Sequence, residues 1–498
     1  MISTQSPVLI TVMPLLAAFV ISLLGAGRDR LSFGLLVAAM AGSCGAAVDT
    51  LRQVLRSGPL HYAVGGWPPP IGIELVVDHL SALVLVLVTG CGLLSGIYSL
   101  RPARREMPDR LHHYYTLFCL LITGLTGMVA TGDAFNLYVL LEISALSSYA
   151  MLASGRGHAY YATFKYIIMG TIGACFYLLG VGYLYIKTGT LNMADLFRLL
   201  GQPEMQQSVS IRIGFGLIVV GIWIKMAFFP LHGWLPNVYT RAATATGCLI
   251  APLATKVAVY IMVRLLFSVF SVGYVFRAVP WPSAVVWLAS VAMVAGSVRA
   301  LAQTNLRRML AYIIIAEVGY MVGGVWLGNP DGFIGAVYHI LADGLMTLCL
   351  FMAVGAIVHR TGKGGIEAME GIWQRMPVSA AVFFLGGMAV VGIPPTCGFF
   401  SKWYLLRGGL AMGQHHYVGA LLFSSLVNAF IFYRLLERSW FGGLSTHGHG
   451  AAHGLSVKEA PVSMLVPMVL VAAALVITGL STDAIVGKLI RFTIPAGL

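Results

Sequence analysis

Charge is what this sequence has least of. Of 498 residues only 10% are Asp, Glu, Lys or Arg, while 58% are hydrophobic. Soluble globular chains carry about 25% charged and 45–50% apolar residues. That scarcity excludes a soluble protein and leaves an integral membrane protein. A basic face is missing too. The net charge of +13 comes from Lys and Arg in short clusters between apolar runs. Such clusters exclude nucleic acid as a partner and serve instead to set orientation in a bilayer. The seven cysteines (Cys44, Cys91, Cys119, Cys175, Cys248, Cys349, Cys397) form no CxxC pair. They read as small buried hydrophobes. No haem or iron–sulfur spacing occurs, so no cofactor is expected on this chain, and any electron carriers belong on other chains. The N-terminus shows no basic region ahead of its first apolar run and no clear cleavage site, so that run is read as a retained helix.

What is present is a series of long apolar runs. A bilayer crossing needs about 20 such residues. Fourteen candidates lie near 8–26, 31–49, 76–100, 112–131, 134–154, 159–187, 211–235, 243–268, 281–302, 308–327, 332–358, 378–411, 415–437 and 462–482. Irregular backbone facing lipid is not viable, so the fold class is an all-α transmembrane bundle. The longest loops fall near 50–75, 188–210 and 438–461, and no composition shift marks a soluble domain. Loops after odd-numbered segments hold Arg28, Arg30, Arg101, Arg104, Arg105, Arg110, Arg156, Arg241, Arg307, Arg308, Arg360, Lys363, Arg375, Arg438 and Lys458. The alternate loops hold fewer: Arg52, Arg56, Lys187, Arg198, Arg277 and Arg407. The positive-inside rule puts the first set in the cytoplasm and both termini outside. The loop "STHGHGAAHG" holds His447, His449 and His453 without a nearby carboxylate or thiol. It reads as a solvated loop, and no metal site is expected.

Several charges fall inside these runs. Glu142 lies in the fifth, Lys165 in the sixth, Lys225 in the seventh and Lys256 in the eighth. Glu317 lies in the tenth, His339 and Asp343 in the eleventh, and Lys402 in the twelfth. Each costs about 2.5–3.5 kcal/mol to insert, so together they would cost on the order of 20 kcal/mol unpaired. They must meet each other and water, and a row of acids, lysines and histidines joined by water is a proton path. Lysine suits this role, because burial and a movable carboxylate shift its proton affinity strongly. In a continuous helix the seven-residue spacing would put Lys225 and His232 on one face. His339 and Asp343, four apart, also share a face, and Asp343 there would favour a protonated imidazole.

The stretch "GIWIKMAFFPLHGWLP" sets Pro230 five residues after Lys225. A proline removes a backbone donor, which leaves the Met226 carbonyl without its helical partner. Opened backbone at membrane depth belongs beside an ion site or a water-filled cavity. The device recurs in the twelfth segment, "GGMAVVGIPPTCGFFSKWYLL", where Pro394 and Pro395 precede Lys402. The two broken segments are five apart, as are those bearing Glu142 and Glu317. An odd offset reverses direction across the membrane. The expectation is two inverted five-helix repeats, segments four to eight and nine to thirteen, with discontinuous seventh and twelfth helices. The bounds are 1–110 for the first three helices, 111–270 and 278–440 for the repeats, and 441–498 for a loop and the last helix.

The stretches "IKMAFFPLHGWLPNVYTRAATATGCLIAPLATKVAVY", "VLLEISALSSYAMLA", "ALAQTNLRRMLAYIIIAEVGYM" and "GIPPTCGFFSKWYLL" resemble the antiporter-like subunits of respiratory complex I, of membrane-bound hydrogenases and of Mrp-type Na⁺/H⁺ antiporters. With fourteen helices and no long C-terminal extension, the chain looks most similar to the D-type Mrp subunits. The resemblance implies a Glu142–Lys225 pair, with Lys165 near it and Lys256 as a central relay. It implies His339 as the next group and Lys402 at the exit. Many members carry lysine where this chain has Asp343. The function implied is proton translocation as one subunit of a multisubunit membrane complex, most similar to Na⁺/H⁺ exchange. The alternative is a redox-driven pump, and a solute carrier working alone fits less well.

Overall fold

Apolar runs bounded by glycine, proline and basic residues have one economical answer in a bilayer, the α-helix, because it satisfies its own backbone groups. The structure is a computed structural model that describes residues 2–155, 157–441 and 458–498, with backbone only for 2–4 and 441. Arg156, His447, His449 and His453 lie outside the described residues.

The first helices are α1 (Ile2–Leu24), α2 (Asp29–Ser57), α3 (His79–Glu106), α4 (Leu111–Ala130), α5 (Ala134–Ala153) and α6 (Ala159–Thr188). Short α7 (Met193–Leu200) and α8 (Pro203–Gln207) lead to α9 (Val209–Lys225), α10 (Leu235–Arg241) and α11 (Thr244–Ser268). The chain continues through α12 (Pro282–Leu301), α13 (Leu306–Trp326), α14 (Pro330–Thr361), short α15 (Ile372–Arg375), α16 (Pro377–Val391) and α17 (Cys397–Ala411). It ends with α18 (His415–Phe441), α19 (Val462–Leu480) and α20 (Thr482–Lys488). Among the described residues, twelve helices are long and apolar enough to cross a membrane. The other two of the fourteen expected segments are split, into α9 with α10 and α16 with α17. The protein is a multi-pass membrane protein. One difference from the sequence expectation is a hairpin in the first long loop, where β1 (Leu60–Ala63) pairs antiparallel with β2 (Glu74–Val77).

The two splits share a local fold. In the first, Ala227 takes φ 57°, the left-handed region that few residues other than glycine adopt. The Phe228 N–H then reaches back to Trp223 O at 3.0 Å, and the Leu231 N–H donates to Phe228 O at 2.7 Å. In the second, Gly392 takes φ 92°. Ile393 donates to Met388 O at 3.0 Å and Thr396 to Ile393 O at 3.2 Å. Each residue of the second set follows its counterpart by 165 positions (227 and 392, 228 and 393, 231 and 396). The repeat that little shared identity announces in the letters is thus written in backbone geometry. In the first split Ile224 O accepts the Ala227 N–H at 3.2 Å and also the Trp234 indole N–H at 3.1 Å.

Helices α11, α13 and α14 are almost wholly buried. Pro252 inside α11 frees the Cys248 carbonyl, and Ser95 Oγ of α3 donates to it at 3.2 Å. At the start of α3, Asp78 caps the helix through Ser81. It also receives both Arg264 amino groups of α11, at 2.7 and 2.9 Å. Arg264 Nε donates to the Tyr260 hydroxyl, which in turn donates to Val129 O. This knot ties α3, α4 and α11 together. Burial works against the Asp78 charge, yet the Arg264 guanidinium and the Ser81 hydrogen bonds outweigh it and hold the carboxyl at about 2. A lowered folded-state value stabilises the fold above the ordinary carboxylate range. That stabilisation is lost as pH falls through about 2. Asp78→Asn keeps a capping side chain but leaves Arg264 uncompensated. The expected cost is about 2–3 kcal/mol, below the 3–5 kcal/mol of a fully buried pair because the Asp78 side chain is 27% exposed. Thermal unfolding of the purified complex checks this as a lowered Tm.

Candidate functional site

The fold draws most of the intramembrane charges into one row. At one end, Lys225 Nζ lies 3.7 Å from Glu142 Oε1, their side chains 10% and 26% exposed. Lys225 is the last residue of α9, so its side chain leaves the backbone in the turn where the helix stops. That end carries partial negative charge and favours a cation.

Next come Lys256 and Asp343, 2.9 Å apart and only 1% and 2% exposed. Lys256 Nζ also donates to Thr347 Oγ1 at 3.2 Å and Ala251 O at 3.4 Å. Thr347 Oγ1 donates to Asp343 Oδ1 at 2.8 Å. One turn back on α14 is His339, and its Nε2 meets Glu317 Oε2 of α13 at 2.5 Å with both side chains buried. His339 Nδ1 and Ser401 Oγ share a hydrogen bond at 2.8 Å.

Lys402, beside Ser401 on α17, closes the row. Its ammonium donates to Val390 O at 2.6 Å and to Ser425 Oγ at 3.0 Å, and it lies 4.9 Å over the Tyr320 ring. Val390 stands five residues before Pro395, as Lys225 stands five before Pro230. A lysine therefore marks the end of the first half-helix in both units, as the terminal residue Lys225 in one and as the Lys402 ammonium on Val390 O in the other. In one it comes from that half-helix itself, in the other from its continuation.

Three sequence expectations are corrected. Asp343 does not serve His339: its carboxylate goes to Lys256, and Glu317 takes the histidine instead. Sharing a helix face made Asp343 and His339 neighbours, but the partners were decided by α11 and α13. Lys225 and His232 do not share a helix face, because α9 ends at Lys225 and His232 lies in the turns that follow, stacked on Phe229. Lys165 is exposed on α6 with its ammonium 4.6 Å over the Tyr161 ring. Sequence reading also passed over Thr347, Ser401 and the Asp78–Arg264 knot. Thr347, four residues after Asp343 on one helix face, was the readable signal among these. Among the described residues no cluster of His, Cys, Asp or Glu could hold a metal ion.

Residues 131–428 match the profile of a family described as the transmembrane region of NADH:quinone oxidoreductase and Mrp antiporter subunits. A relative from Desulforudis audaxviator (strain MP104C), NADH-quinone oxidoreductase subunit N, is 39% identical over 98% of both chains. The D subunit of the Na(+)/H(+) antiporter from Bacillus subtilis (strain 168) is 31% identical over 79% of this chain and 78% of its own. A chain of the membrane-bound sulfane sulfur reductase, an archaeal respiratory membrane complex, superposes with a TM-score of 0.88 at 30% identity. It covers 98% of this chain and 97% of its own length.

Proposed function

The chain belongs to the NADH:quinone oxidoreductase/Mrp antiporter transmembrane family, and on that premise we propose that the buried row is its proton path. It is an antiporter-like subunit of the kind found in those multisubunit membrane complexes. One observation carries the proton reading. Three acid–base pairs and a fourth cation lie inside the helix bundle, across two halves that share one break geometry.

Protons enter by one half-channel and pass Lys225 and then Lys256. They move by way of His339 to Lys402 and leave. Glu142, the most exposed member of the first two pairs, is the gate. When it moves off, the Lys225 ammonium loses its counter-charge and gives its proton onward; when it returns, the charged form is held again. Glu317 and Asp343 hold the interior cations in place, and His232 lines the opened backbone near Pro230. The partners are other membrane subunits, and the membrane is the cell membrane with both termini outside, as the distribution of basic loops indicates.

The energy source lies on the partner subunits. Mrp-type Na⁺/H⁺ exchange is supported by the likeness to the D subunit of the Bacillus subtilis antiporter. A second reading, redox-driven pumping, is favoured by the 39% relative, whose match runs nearly end to end. Purification of the native complex followed by reconstitution in vesicles separates them. Iron–sulfur absorbance and donor-dependent acidification give the redox reading. Sodium-dependent pH change without that absorbance gives exchange. Vesicles that move no protons under either condition refute translocation itself.

A further inference from the structure

Every neighbouring step in the row is bridged by a direct contact or one helical turn except one. Among the described residues, no hydrogen bond passes between the Glu142–Lys225 pair and the Lys256–Asp343 pair. What stands there is aromatic. Tyr149 of α5 meets Tyr166 of α6 edge to face, centroids 4.7 Å apart. Tyr166 stacks on Trp234 at 4.0 Å, and Trp234 meets Tyr239 of α10 at 6.2 Å. The Tyr239 side chain is 0% exposed, and its hydroxyl has no hydrogen-bond partner. The Tyr149 hydroxyl is equally buried and unpartnered. A buried hydroxyl without a partner costs about 1–3 kcal/mol, so water is the expected occupant.

The positions suit a bridge. Tyr149 stands about two turns after Glu142 on α5, on the same helix face. Tyr239 meets Phe351 of α14, the helix that carries Asp343, edge to face with centroids 6.1 Å apart. A cavity of about 40 Å³ is lined by Lys225, Tyr166, Ser144 and Ser148. That exceeds the roughly 10–15 Å³ a water molecule needs, and its walls offer polar partners. The first split positions the last member, because Trp234, tied to the Ile224 carbonyl beside Lys225, opens the half-helix that carries Tyr239. On α6, a Cβ at Gly170 would overlap the Tyr149 hydroxyl, so that glycine makes the room the hydroxyl occupies.

We infer that the hydroxyls of Tyr166 and Tyr239, with internal water, carry protons from Lys225 to the Lys256–Asp343 pair. This rests on the proton-path reading above. In each step a water or ammonium proton bonds to the phenolic oxygen as that oxygen's own proton passes to the next acceptor. One O–H bond forms as another breaks, and the ring keeps its charge. The hydroxyl then rotates back to reset.

The test is Tyr239→Phe in the full complex, which keeps the ring and removes only the oxygen. Proton flux per assembled complex is expected to fall about tenfold or more, with a changed solvent isotope effect. Tyr98→Phe is the control, since that buried hydroxyl donates to the Met352 carbonyl and lies off the row. Wild-type flux from Tyr239→Phe, beside lost flux from Lys225→Ala, overturns the tyrosine bridge and leaves the lysine path standing. Undiminished flux from both refutes the path itself. If Tyr239→Phe does not assemble, a fluorinated tyrosine at position 239 preserves shape and hydroxyl. A shifted pH profile of flux then supports the bridge, and an unshifted one rejects it.

Discussion

Lys225→Ala is expected to abolish coupled proton movement, by about a hundredfold or more, in a complex that still assembles. Lys225 is the last residue of α9, its ammonium lies 3.7 Å from the Glu142 carboxylate, and it takes part in no other described ion pair or hydrogen bond. Removing it deletes the first proton-carrying group while leaving helix contacts largely intact. Glu142→Ala should give the same loss from the other side, by leaving the ammonium with no partner to gate it. Quenching of a pH-sensitive dye in inverted vesicles reads the flux, and co-purification of partner subunits reads assembly. Normal transport by both variants would sink the proposed path.

Asp343→Asn is expected to be at least as severe and to harm the fold as well. Lys256 is 1% exposed, and its only carboxylate within 4 Å among the described residues is Asp343. Leaving that ammonium alone in the interior costs about 3–5 kcal/mol. The variant should therefore unfold at a lower temperature and transport nothing. The double variant Lys256→Met with Asp343→Leu separates the two effects. Replacing a buried pair with apolar groups of similar size is often neutral or stabilising. Melting temperature should return towards wild type while flux stays lost. A double variant that pumps would remove the pair from the mechanism; one as unstable as Asp343→Asn would remove charge pairing as the cause of instability.

The fourteen segments were legible because bilayer thickness fixes helix length and a charge inside a span is costly. The two splits were legible from Pro230, Pro394 and Pro395, and so was the five-helix spacing. What the sequence withheld was partnership. Helical periodicity tells which residues share a face, and it put Asp343 beside His339. It says nothing about which helix packs against that face, and α11 supplied Lys256. The same limit hid Lys165, whose charge the letters set among the others while α6 turns it outwards. Tyr166, the next residue, points inwards, a difference of 100° about the helix axis that a single apolar run does not reveal.

The pairing of Lys256 has a consequence for how the protein is made. Its hydrogen-bond partner Thr347 lies 91 residues further along the chain, and Asp343 is only slightly nearer. Ribosomes add roughly 5–20 residues per second, so the counter-charge Asp343 is synthesised some seconds, roughly 4–17, after Lys256. During that interval α11 must wait at the insertion machinery or at the lipid headgroups, its lysine reaching for water. Biogenesis of this chain is therefore expected to be sensitive to translation speed between α11 and α14, a stretch that carries none of the row except Glu317.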